Sequence, residues 1–104
     1  MTDVSDPSSN RSRLLLGNAR RGFVGIIRGI DVVEGRSSLS SSELESQLIE
    51  MGFVEGARVE ILHEGAIGRD PIAVRVSGIT IALRRREAQA VVVVPVTAEA
   101  VAVI

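Results

Sequence analysis

The chain has no cysteine, tryptophan, tyrosine or lysine among its 104 residues. Without cysteine there are no disulfides, thiolate zinc sites, iron–sulfur ligands or sulfur nucleophiles. Two phenylalanines are the only aromatics, which removes the stacking platforms of single-stranded nucleic-acid binders. The missing lysine excludes a phosphate-binding loop of the usual form. Positive charge is also short: 12 arginines face 13 acidic residues, for a formal net charge of −1. No excess field draws the chain to a phosphate backbone, and no nucleic-acid partner is expected. One histidine and no Gly-x-Ser-x-Gly turn leave nucleophilic catalysis without a triad, so the chain does not read as an enzyme.

Long apolar runs are missing as well. Leu14-Leu15-Leu16 is too short for a signal peptide, and the stretch from Ala88 to Ile104 is broken by Pro95 and Glu99. It falls short of the ~20 residues that span a bilayer. The expectation is a cytoplasmic protein without direct membrane insertion.

What remains is 45% hydrophobic and 24% charged, the composition of one small globular domain with a core of its own. Residues 1–13 are Ser-, Asp- and Asn-rich and read as a disordered leader. A folded domain is expected over 14–95 and an apolar extension over 96–104. That extension is too apolar for a free tail, and a strand added to the edge of a second copy would make the protein a homo-oligomer.

Within the domain, Phe23 to Ile30 reads as a strand bent or bulged at Gly25 or Gly29. Leu39 to Gly52 reads as a helix. Ser40 is its N-cap, Glu43 closes a capping box, Leu39 and Leu44 form a hydrophobic staple, and Gly52 ends it. Ala57 to His63 alternates as a half-buried strand. The two-residue link Ser77-Gly78 joins Ile72–Val76 to Ile79–Leu83 and fixes the pairs Val76/Ile79, Val74/Ile81 and Ile72/Leu83 on one face. Val74, Val76, Ile79, Ile81 and Leu83 are then all expected to point inward. A helical turn at Arg84–Ala88 and a strand at Ala90–Val94 complete a mainly β fold. It is a small antiparallel barrel of about five strands with one α-helix.

Candidate chemistry is sparse. His63 is the lone imidazole, with Glu60 three residues back and Asp70 across the next loop. They make a weak oxygen-and-nitrogen set for a transition metal such as Fe2+, and no tightly bound cofactor is expected. The run Arg84-Arg85-Arg86 reads as a solvated element end. Leu48, Ile49, Met51 and Phe53 exceed what one narrow helix face needs for burial. They are the candidate partner-binding residues, with Ile49 and Phe53 expected to stay partly exposed as anchors.

Three stretches in register carry a resemblance: Leu48 to Gly56, Gly68 to Gly78, and Leu83 to Ala88. Over Leu14 to about Val94 the chain resembles the FeoA domain of bacterial ferrous-iron transport systems. The resemblance implies an SH3-like barrel and a small cytosolic accessory protein without catalysis of its own. Its partner would be a large FeoB-like membrane GTPase that carries ferrous iron inward. Glu55 stands where the family often has Pro, and Gln47 where it often has a basic residue. The same domain resembles the C-terminal module of metal-dependent transcriptional repressors. No helix-turn-helix accompanies it here, so an interaction or metal-sensing module is the alternative reading.

Overall fold

A computed structural model of the protein describes residues 14–32 and 41–96. The leader, the cap at Ser40 with its staple residue Leu39, and residues 97–104 of the extension lie outside the described residues. The elements are β1 (Leu14–Leu15), a 3-10 turn (Leu16–Asn18), β2 (Val24–Ile30), α1 (Ser41–Glu50), β3 (Arg58–Glu64), β4 (Ile72–Val76), β5 (Ile79–Leu83), α2 (Arg85–Ala88) and β6 (Val91–Pro95).

The architecture is mainly β, with six antiparallel strands in the order β1-β6-β2-β3-β4-β5. The strand count exceeds the expected five because Leu14 and Leu15 pair with Val93 and Val92. Two residues show no periodicity, so only their tertiary partner makes them a strand. The sheet curls without closing, since β1 and β5 each have one neighbour.

Two bulges shape the sheet. In β2 the register shifts between Ile27 and Gly29, which leaves Arg28 as the extra residue. In β3 it shifts between Ile61 and His63, which leaves Leu62 extra. The second shift decides which side chains face the core. His63 comes to lie opposite Ala73 and is exposed, whereas Glu64 lies opposite buried Ile72.

The β4–β5 hairpin has the register that its two-residue link dictates. Ser77 and Gly78 have φ of 53° and 83°, the positive values of a type I′ turn whose twist matches the strands. Its apolar face is less uniform than the alternation implies. Val74, Val76 and Leu83 are buried, Ile81 is half-buried, and Ile79 is 51% exposed. The expectation that Ile79 points into the core is therefore corrected: β5 is the last strand of the sheet, and no described residue beyond it covers its first residue.

The core is a single cluster. Leu44 and Leu48 of α1 and Phe53 just after it pack with Leu16, Ile27, Val59, Ile61, Ile72, Val74, Val76, Val91 and Val93. No polar or charged residue is fully buried among the described residues.

Candidate functional site

The end of α1 sets which of its apolar residues reach the surface. The Gly52 amide donates to the Ile49 carbonyl and the Phe53 amide to the Leu48 carbonyl, both at 3.0 Å. With Gly52 at φ 107°, this is a Schellman motif, in which the residue after the glycine folds back onto the last turn of the helix. Phe53 is thereby wholly buried, as is Leu48. The expectation of Phe53 as an exposed anchor is corrected, and Leu48 is likewise core and not surface. Met51 is half-buried against the core. Ile49 points the other way and is 46% exposed; Val54, which the helical spacing could not single out, is 43% exposed.

Ile49 and Val54 border a shallow groove of about 180 Å³. Gly29 and Ile30 at the end of β2, Glu45 of α1, Phe53 and Glu55 complete its lining. Glu45 and Glu55 are both exposed, so the apolar patch carries carboxylates at its rim.

The three candidate metal ligands are not gathered. His63 is exposed on the outer face of β3. Glu60 lies opposite Arg75 in the ladder and, with it and Arg58, lines a separate groove of about 300 Å³. Asp70 is already engaged, its Oδ1 accepting the Arg85 backbone N–H at 2.9 Å. Among the described residues no three His, Asp or Glu side chains stand together as a metal would require. The donors placed among the described residues do not fit a resident metal.

Arg85 is the polar residue that the sequence reading missed. Its Nε donates to the Arg69 carbonyl at 2.7 Å, and Nη1 donates to the Gly17 and Ala19 carbonyls at 3.1 and 2.6 Å. Nη2 pairs with Glu64 Oε2 at 2.7 Å, both side chains being 17% exposed. One planar guanidinium thus ties the 3-10 turn, the end of β3 and the loop before β4 to α2. Arg84 and Arg86 are exposed, as the solvated reading of the run expects. The available signal was spacing, because Arg85 stands one turn before buried Ala88 and shares its side of α2. Four of the five guanidinium N–H groups are held by protein acceptors, so the clamp fastens the fold.

A small, mainly β domain built on this curled antiparallel sheet belongs to the class of SH3-like domains. The FeoA domain model matches residues 14–95, and the chain belongs to the FeoA domain family.

Solved structures agree. FeoA of Stenotrophomonas maltophilia, crystallised with zinc and described as a prokaryotic SH3 domain protein, superposes with a TM-score of 0.65 at 26% identity. The match covers 78% of this chain and 89% of that one. A FeoA-like protein of Clostridium acetobutylicum gives 0.67 at 24% identity over 83% and 90% of the two chains. A manganese-dependent transcriptional repressor shares the fold at 0.63 and 21% identity, over 81% of this chain and 42% of its own. No curated protein matches. The family is linked to ferrous iron transport; its members are small accessory domains and not a known enzyme family. Among the described residues no helix is long and apolar enough to cross a membrane.

Proposed function

We propose that the chain is a non-enzymatic cytoplasmic accessory protein of ferrous iron transport. It docks on the cytoplasmic part of a FeoB-like membrane GTPase and modulates the assembly or GTP-driven cycle of that transporter. The observation that carries this reading is the exposed pair Ile49 and Val54 beside the α1 groove, in a chain whose family is linked to ferrous iron transport. A protein without a catalytic constellation acts through contact, and exposed aliphatic residues around a concavity are what contact surfaces use. Ferrous iron is the cargo of the transporter in this reading, and no set of metal donors is gathered for it among the described residues.

The test is co-purification. Ile49→Asp and Val54→Asp should each abolish capture of the membrane GTPase while leaving the thermal transition within a few degrees of wild type. If wild-type protein shows no association and its removal leaves ferrous-iron uptake unchanged, the reading fails. An interaction module of the kind carried by manganese-dependent repressors then becomes the better account, its support being the shared fold. Self-association through the extension is a separate proposal. A chain lacking residues 96–104 that keeps the oligomeric state of the full chain by light scattering would remove it.

A further inference from the structure

The α1 groove has a sign as well as a shape. Ser41 to Glu50 carries Glu43, Glu45 and Glu50 and no arginine, so three of the chain's acidic residues sit on one ten-residue helix. Two of the seven lining residues are carboxylates, Glu45 and Glu55, and none is basic. At about 180 Å³ the concavity falls below the ~300–1,000 Å³ of small-molecule sites. It has room for a side-chain anchor and not for a cofactor.

These features select among occupants. A second copy docked through the same groove about a two-fold axis would set acidic rim against acidic rim. An anionic lipid surface would meet the same repulsion. A segment offering an aliphatic side chain flanked by Lys or Arg satisfies both the apolar centre and the acidic border.

We propose that this groove recognises a basic, amphipathic peptide segment of the partner, with one Leu- or Ile-sized anchor seated between Ile49 and Val54 and basic neighbours facing Glu45 and Glu55. The proposal rests on the reading of the α1 groove as the docking surface and names the chemistry of what it takes. Gly29 provides a plug. It lines the groove, and a Cβ built there meets no atom within 4 Å, so a larger side chain fills the groove without displacing the core.

The experiment titrates the full chain with a capped 12-residue peptide that alternates leucine at helical spacing with lysine, followed by backbone and methyl NMR. Two control peptides replace leucine by serine or lysine by glutamate. The expected result is saturable shifts confined to Gly29, Ile49, Val54 and Glu55 with the leucine–lysine peptide, weakened by added salt and absent with both controls. Gly29→Ile should abolish the shifts with its thermal transition retained. Glu45→Lys combined with Glu55→Lys should weaken the lysine peptide about tenfold and admit the glutamate one. The proposal is overturned if the glutamate peptide binds wild type as well, if Gly29→Ile leaves binding unchanged, or if the shifts map elsewhere. It is overturned too if the Ile49 and Val54 methyls are shielded from a soluble paramagnetic probe before any peptide is added, because the chain's own residues would then cover the groove. Peptide binding with no transporter capture would sink the transporter reading and leave this one standing. Capture of the transporter by the Gly29→Ile variant would do the reverse.

Discussion

Ser77 in the β4–β5 turn donates its hydroxyl to the carbonyl oxygen of Gly52, at 3.2 Å, and so fastens the end of α1 to the far end of the sheet. The contact is close enough to dictate both residues. A Cβ at position 52 would stand 2.6 Å from Ser77 Oγ and 2.9 Å from its Cβ, and the backbone there already has φ 107°.

Gly52→Ala therefore combines two penalties. The left-handed conformation alone costs an alanine about 1–2 kcal/mol, and the collision with Ser77 adds to it. In a Ser77→Gly background the collision is gone and only the conformational part remains. A double-mutant cycle in urea should show the two changes costing less together than the sum of each alone. Strict additivity would mean that the turn moves aside at no cost.

Arg85→Ala should destabilise the fold by about 3 kcal/mol or more, because it strands Glu64 and three carbonyls that share one guanidinium. Arg85→Lys should recover little of this, since an ammonium cannot reproduce the fork. Arg84→Ala and Arg86→Ala should stay within about 0.5 kcal/mol. Denaturation midpoints for the four variants check the ranking, and equal losses across the run would refute the clamp.

Phe53→Ala should cost about 3–5 kcal/mol as a core deletion, whereas Ile49→Ala, at 46% exposure, should cost less than about 1 kcal/mol. Thermal melts separate the two, and similar losses would place both residues in the core.

Along the hairpin, Leu83→Ala should cost about 2–5 kcal/mol and Arg75→Ala less than about 0.5 kcal/mol. Ile79→Ala, although on the same face as Leu83, should resemble Arg75→Ala more closely because its position on the edge strand leaves it half open to water. A denaturant series that ranks Ile79 with Leu83 would show that something covers β5 in solution.

Much of this fold is legible in the sequence because its signals are local. A two-residue link fixes the register of β4 and β5 before any tertiary contact forms, and Gly52 marks the end of α1. The misreadings share a different cause. Arg85 reads as part of a solvated element end, but the bulge at Leu62 sets Glu64 opposite Ile72, and there it pairs with Arg85. Phe53 reads as a continuation of the helical stripe, but the chain has left the helix and its side chain follows the Schellman turn inward. Val54, the exposed neighbour that results, has no periodic signature. The groove itself joins the end of β2 to α1 and the turn after it, elements that no single stretch of sequence brings together.

The pairing of Leu14 with Val93 has a consequence for how the molecule is made. A ribosome releases the first strand of the sheet long before its only neighbour exists, and Arg85, which grips Gly17 and Ala19, also emerges late. β2 can pair with β3 earlier, but β1 and the 3-10 turn cannot settle until β6 has left the exit tunnel. β1 and β6 must then find each other in one late step, the slow, non-local kind of assembly that separates high-contact-order domains from helical ones. A nascent chain stalled before Val91 would carry β2 with one side of its ladder open, a natural target for holding chaperones.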